Sequence, residues 1–544
     1  MIGVIAKSDE RDVVAEFFEL FKTPWEFYLS GRTYEVLIYT ATDFNIEPAK
    51  LVVIYGGQRL TTDSENQIDI AFQGGGNRIL SYDGVKIPIY GDCVTFKGEK
   101  KGLLDQESQR PAIHIDHSGE TRVARIGYDL FSEVRFLLTE GQPAANAATP
   151  TLDLHIGLLR DLIVTSTILL SEIPPVPDGY RFIACLTHDV DHPLLRQHKF
   201  DHTMFGFLYR ATFGSALDVI RRRVPFRNLV ANWTAALKLP FVHLGLAKDF
   251  WQQFDGYAKL EKGLRSTFFV IPFKGRPGRT ESGSAPQIRA SGYGAADIAE
   301  CLSALSQEGC EIGLHGIDAW IDSSRGAEEI GEIRGLTGAE QIGSRMHWLY
   351  FRESSPRTLE EAGVDYDSTV GYNSTIGFRA GTSQAYKPLE TVRLLELPLH
   401  IMDTALFFPG HLHLTPEKAS KLVKTVVENA AKFGGVVTVN WHDRSIAPER
   451  LWGDFYVHLI DELKSEGAWI ATAGDAVSWF RERRSASFEN DTWKTSARGG
   501  KIASETGGQL PGLILRTYSI GKNPQDVLIS SSMPELARPL LDSK

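Results

Sequence analysis

From Gly256 onward the chain alternates helix-like and strand-like stretches, and this alternation restricts its fold more than any other feature. Phe250–Lys262, Ala295–Gln307, Arg357–Ala362, Glu417–Lys432 and Tyr456–Ser465 carry apolar residues at helical spacing. Ser266–Phe273, Glu311–Leu314, Gln341–Ser344, Leu394–Pro398, Gly435–Asn440 and Trp469–Thr472 are short runs with strand character. Parallel strands need a crossover connection, usually a helix. The pattern therefore predicts an α/β protein with a parallel sheet, and six or seven units predict a barrel or near-barrel.

The stretch F-I-A-C-L-T-H-D-V-D-H-P, Phe182 to Pro193, carries the most chemistry. Its apolar half, Phe182–Leu186, reads as a buried strand, and Thr187, His188, Asp189, Asp191 and His192 follow at once. Strand alternation puts Asp189 and Asp191 on one face and His188 and His192 on the other. Two carboxylates so close repel unless a cation sits between them. A divalent ion held by one Asp, with the other free as a base, relieves that repulsion. The bland alternative is a turn built from Asp and His. Four other predicted strands also end in reactive groups: His315 in G-L-H-G-I-D-A-W, Arg345 and His347 in S-R-M-H-W-L, His400 then Asp403, and Trp441, His442 and Asp443. On a parallel barrel all of these would face one pocket.

Residues 1–175 read as a smaller α/β domain without recognisable chemistry: strands Ile2–Ala6, Tyr34–Thr40 and Leu51–Tyr55, helices Glu10–Phe21, Tyr128–Leu138 and Leu152–Leu170, and Gly-rich hairpins over 74–98. The run G-G-G-N at 74–77 lacks the Lys-Ser or Lys-Thr and the helix of a phosphate loop, so it reads as a turn. P-P-V-P-D-G at 174–179 reads as a stiff linker into the domain 176–485. Residues 194–250 form a basic amphipathic helical insertion with nine Lys or Arg against three Asp. It would cover the main domain, wall a groove for an anionic or lipid-linked substrate, or make peripheral contact with an anionic membrane. The extension 486–544 is polar to about 508, then carries strand candidates Leu513–Tyr518 and Val527–Ser530.

A net charge of −10 argues against nucleic-acid binding. Four cysteines without a Cys-x-x-Cys pair, an acidic start unlike a secretory leader, and no apolar run of about 18 residues lead to the expectation of a cytoplasmic protein. Oligomeric state is not legible.

Taken in order, T-H-D-V-D, G-L-H-G, S-R-M-H and N-W-H-D resemble the motifs of the polysaccharide deacetylases, the NodB-homology group of carbohydrate esterases. A-G-V-D-Y-D-S-T-V-G-Y and G-F-R-A-G-T resemble a bacterial branch of that family, and the likeness spans about 180–485. The resemblance implies a distorted (β/α)7-type barrel and a metal-dependent N-deacetylase or esterase acting on a carbohydrate. By position, Asp189 resembles the catalytic base, Arg345 the arginine that orients it, and His442 the general acid. Asp191 and His315 resemble metal ligands for one divalent ion, zinc first, with cobalt, nickel or iron as alternatives. Many members carry a second histidine four residues after the first, where this chain has Ala319. His347 is the preferred substitute because it restores an Asp plus two His set; Asp318 is the alternative. Arg379, Trp441 and Asp403 are candidates for contacting substrate. Two other readings stay open: a non-catalytic carbohydrate binder, and a hydrolase of a different non-peptide C–N bond.

Overall fold

The computed structural model describes residues 1–40, 47–489, 492–495 and 510–529. Its larger sheet is the parallel one that the alternation predicts. The central strand, Phe182–Val190, is buried at every position, as a strand covered on both faces must be. It runs four residues past the apolar stretch, so Thr187, His188 and Asp189 lie within the strand and not after it. One flank hydrogen-bonds Val436–Asn440; the other is shared by Ala468–Ala471 along its first half and Thr267–Val270 along its second. Beyond these, the order runs through Glu311–Gly316, Ser344–Met346, Tyr366–Asp367 and Leu395–Glu396 on one side, and to Leu399–Met402 on the other.

The two edge strands, Leu395–Glu396 and Leu399–Met402, are separated only by Leu397 and Pro398. The sheet therefore curls until its edges meet on one chain segment. Pro398 has no N–H to donate, which explains why the segment divides in two at that point. Nine strands result among the described residues where six or seven units were expected. Two long helices escaped the periodicity reading, besides the short Thr61–Glu65 and Asp403–Phe407. Ser323–Thr337 is mostly polar, and its bounds come from Asp322, whose side chain accepts from Arg325 N, and from Gly338 at φ 71°. Ala473–Ser485 starts at Thr472, which caps it by accepting from Asp475 N.

The smaller sheet has six strands in the order Ile113–Ser118, Thr121–Ile126, Leu51–Tyr55, Val36–Tyr39, Ile2–Ile5 and Trp25–Phe27, parallel except for the first pair. Helix Arg11–Phe21 buries Val13, Val14, Phe17, Phe18 and Phe21, as their spacing predicts. The G-G-G-N run is a turn, with Gly76 and Asn77 at φ 75° and 51°. The helix expected over 152–170 ends at Thr165, and Leu170–Glu172 is instead a strand pairing with Ile514–Tyr518, which pairs in turn with Gln525–Leu528. The boundary at 175 is packed. Val370, Ala380, Tyr386 and Leu389 join the apolar core of the first part, Arg484 pairs with Glu16 at 2.7 Å, and Arg483 donates to the carbonyls of Glu19, Leu20 and Ile173. Among the described residues, no helix is long and apolar enough to cross a membrane.

Candidate active site

The C-terminal ends of the parallel strands open onto a cavity of about 670 Å³, and Asp189, Asp191, His315, His347 and His442 all line it. Asp189 points inward from the central strand and both its oxygens are held: Arg345 Nη1 donates to Oδ1 at 2.9 Å and Asn440 Nδ2 to Oδ2 at 2.7 Å. Arg345 is fully buried, and Ser368 O, Ser368 Oγ and Thr187 Oγ1 take three more of its N–H groups at 2.7–3.0 Å. Burial alone would raise the Asp189 carboxyl, but the charges of Arg345, His315 and His442 hold it below the usual carboxylate range. His188 faces the other way, with Nε2 2.9 Å from Glu261 Oε1. His192 lies past the strand's end, where alternation no longer applies, and comes round to the cavity wall.

Two residues on, Asp191 is placed quite differently. Its Oδ1 is buried without a hydrogen-bond partner, 3.3 Å from His315 Nε2 and 3.4 Å from His347 Nε2. All three ligand atoms lie within 4.8 Å of one another. Donors about 2.0–2.1 Å from one tetrahedral ion stand roughly 3.3 Å apart, which is the separation of Asp191 Oδ1 from each imidazole nitrogen. His315 Nδ1 donates to Arg345 O at 2.9 Å, which leaves the Nε2 lone pair free for a cation. Burial pushes His347 down to about 3, so its imidazole is neutral, the form that binds metal. The residues present therefore fit one divalent ion.

His347 does not sit on the strand with Arg345. It opens a tight turn in which Trp348 and Leu349 take φ 66° and 53°, a region costly for residues with a Cβ. Arg289 Nη2 donates to His347 O and to Ile317 O, both at 3.0 Å, and so ties this turn to the loop after His315. That loop is also fixed by Glu329, which accepts from the backbone N–H groups of Ile317 and Asp318. The alternative ligand, Asp318, is engaged elsewhere: Oδ1 accepts from Arg279 N at 2.7 Å and Oδ2 from Arg325 Nη1 at 2.6 Å.

His442 Nδ1 donates to Asp403 Oδ1 at 2.6 Å, which turns Nε2 toward the cavity, 3.8 Å from Asp191 Oδ2. Burial would lower the His442 pKa, but Asp403, Asp191 and Asp189 outweigh it and raise it to about 9. Asp403 is fully buried and also accepts from His442 N and Ser445 Oγ. It holds the imidazole and is not among the residues that line the cavity, where the sequence led it to be expected. Trp441 is also misassigned: it is fully buried and stacks on Phe455 and Tyr456, because alternation sends it away from Asn440 and His442. Arg379 lies outside the cavity lining: its Nη1 donates to Gly371 O at 2.9 Å and it packs against Gly141. His400 is buried against Thr382 O and Thr438 N.

Sequence reading missed Asn440, although alternation from His442 places it on the same face. It also missed Arg289, for which no local pattern exists. Arg210, Arg444 and Arg450 also line the cavity; Glu449 pairs with Arg210 at 3.0 Å and lies 3.8 Å from Arg450, and Arg444 forms no salt bridge among the described residues.

No family model matches the sequence, and no curated protein matches it. Among solved structures the chain is similar to a protein described as a polysaccharide deacetylase from Mycobacterium smegmatis, at 18% identity over 57% of this chain and 94% of the other, with a TM-score of 0.35. A protein so described from Pseudomonas aeruginosa is similar at 16% identity over 57% and 94%, with a TM-score of 0.35. A peptidoglycan deacetylase of Bacillus subtilis is similar at 12% identity over 57% and 95%, with a TM-score of 0.26. Likenesses this distant do not decide an activity, so the chemistry rests on the side chains themselves.

Proposed function

We propose that this chain is a metal-dependent hydrolase that removes an N-acetyl or other N-acyl group from an amino sugar of a glycan or glycoconjugate. The observation that carries the reading is Asp191 Oδ1, buried and unpartnered between two imidazole nitrogens at 3.3 and 3.4 Å. A buried carboxylate oxygen left without a partner is costly unless a cation occupies the gap. The ordered motifs T-H-D-V-D, G-L-H-G, S-R-M-H and N-W-H-D add the resemblance to polysaccharide deacetylases. Asp191, His315 and His347 would hold the ion, zinc by donor chemistry, with cobalt, nickel or iron as alternatives. When bound, it would polarise the acyl carbonyl and acidify a water.

The chain's own groups supply the proton transfers. Asp189, kept ionised by Arg345 and oriented by Asn440, takes the proton of the attacking water as the new C–O bond forms. His442, held protonated by Asp403, gives its Nε2 proton to the nitrogen as the C–N bond breaks, so the products are a carboxylate and a free amine. Arg444, which lines the cavity without a salt bridge among the described residues, suits a substrate with an anionic portion.

The test is direct. Protein expressed with supplemented zinc or cobalt should purify with about one equivalent of metal and release acetate from N-acetylglucosamine oligomers. Metal-free protein that still binds the oligomers would make it a carbohydrate binder, and ammonia or a ring-opened product without acetate would make it a hydrolase of another C–N bond.

A further inference from the structure

The insertion folds as a helical hairpin: His202–Tyr209, a π-helical turn over 210–214, and Ser215–Ile220 form one arm, and Phe226–His243 the other. Its inner side does what a cover should. Met204, Phe207, Ala211, Ala235 and Leu239 pack with Trp251 and neighbours of the main body. The outer side is unlike any ordinary protein surface. Along the first arm Phe205, Tyr209, Phe213, Leu217 and Ile220 are all exposed, Phe213 and Ile220 at 75% and 77%. A π turn carries more than four residues, so it keeps this spacing of four on one face. Along the second arm Phe226, Val230, Trp233, Leu237 and Phe241 are exposed, Leu237 at 78%, and their spacing of three and four draws one narrow stripe. Trp233 Nε1 donates to Thr212 O at 3.4 Å, so the two stripes adjoin.

Ten large apolar side chains in one patch leave on the order of 1,000 Å² of apolar surface uncovered, above the few hundred Å² usual for a monomer. The charge of the hairpin narrows the occupant. Residues 202–247 hold six Lys or Arg and one Asp, in a chain of net charge −10. Arg221 and Arg222, at the turn between the arms, and Lys238 are exposed and form no salt bridge among the described residues. A second copy docked about a two-fold axis would lay this face on itself and, with one Asp among residues 202–247, supply almost no counter-charge for Arg221, Arg222 and Lys238. An anionic lipid surface accepts the apolar stripe and neutralises the arginines together.

We propose that this hairpin lies in the interface of an anionic lipid bilayer, stripe down, as a monotopic anchor. The same first arm lends His202, Thr203 and Arg210 to the cavity. Only the width of a helix, about 10–12 Å, then separates the lipid from the cavity, so molecules anchored at the bilayer surface are the ones this cavity meets. Vesicle binding by the full chain tests this without reference to catalysis. Mixed phosphatidylglycerol–phosphatidylcholine vesicles should co-sediment the protein, and pure phosphatidylcholine vesicles far less. Phe213→Glu and Leu237→Glu should each weaken partitioning about tenfold, and R221Q with R222Q several-fold, with a shallower dependence on salt. All sites are exposed, so unchanged thermal unfolding certifies the fold of each variant. Wild-type protein that ignores the mixed vesicles overturns the proposal, as do folded Glu variants that bind like wild type. So does lipid-free self-association, seen in analytical ultracentrifugation, that the same Glu substitutions abolish: it would assign the face to a second copy.

Discussion

Asp403→Asn removes the charge that holds His442 in its protonated form while keeping an acceptor of similar shape opposite Nδ1. In the metal-free protein the His442 pKa stands at about 9 against an ordinary 6.5, with Asp403 its largest favourable partner. Without that charge burial prevails, and the midpoint should drop to about 6.5 or lower. A displacement of that size corresponds to about 3 kcal/mol. Because the folded pKa lies above the unfolded one, the stabilisation is fully present below about pH 6.5 and disappears as pH rises through about 9. The variant's loss of stability should thus be larger at pH 6 than above pH 9 by up to about 3 kcal/mol, on top of a pH-independent loss from the acceptor that His442 N and Ser445 Oγ no longer have. Chelator-treated, 15N-histidine-labelled protein gives the midpoint by NMR, and urea unfolding at several pH values gives the stability gap. A midpoint unmoved in the variant, or a loss of stability no larger at pH 6 than above pH 9, would refute the reading of Asp403 as the group that charges His442.

Three further outcomes are expected. His347→Ala should lose the metal on elemental analysis, whereas Asp318→Ala should keep it and instead lower stability, since it frees Arg325 and the Arg279 N–H; the reverse pattern would hand the ligand role to Asp318. Asp189→Asn should retain about one equivalent of metal and lower kcat by 100-fold or more, and a variant of near wild-type kcat would remove Asp189 as the base. Arg379→Ala should leave KM within about twofold, because it lies outside the cavity lining with Nη1 donating to Gly371 O; a large rise in KM would restore it to the substrate site.

What could be read in advance divides along a physical line. Period-two alternation and strand ends are local properties, so Asp189, Asp191, His315 and His442 could be placed together before any coordinate was known. The choice of His347 over Asp318 rested on donor chemistry, and the reason it works is tertiary: Asp318 is taken by Arg325 from the following helix and by Arg279 from a distant loop. Asp403 and His442 are 39 residues apart in the chain and 2.6 Å apart in space, and nothing in either segment announces the pair. Trp441 is a different failure, since the alternation that placed His442 already pointed Trp441 outward. The insertion's inner stripe was foreseeable as a cover, but helical spacing did not distinguish one apolar face from two.

The two carboxylates of T-H-D-V-D share a face, yet their neighbours force them into separate tasks. Asp189 is saturated with hydrogen-bond donors, Arg345 on one oxygen and Asn440 on the other, so its charge is already compensated and its geometry fixed. It has little to gain from a cation and is poised to accept a proton. Asp191 has imidazole nitrogens around it and an oxygen that nothing in the protein satisfies. A cation between the three donors would complete that shell, and His315 is oriented toward it because its other nitrogen is committed to Arg345 O. Arg345 thus acts on both carboxylates: its guanidinium fixes Asp189, and its carbonyl sets the tautomer of a neighbour of Asp191. A change at Arg345 that spared the backbone would disturb the base and leave the ligand set, whereas a change that shifted the strand would disturb both. Arg345→Met should therefore raise the acidic limb of the kcat profile while metal content stays at about one equivalent, and loss of metal in a variant that folds normally would contradict the separation of roles.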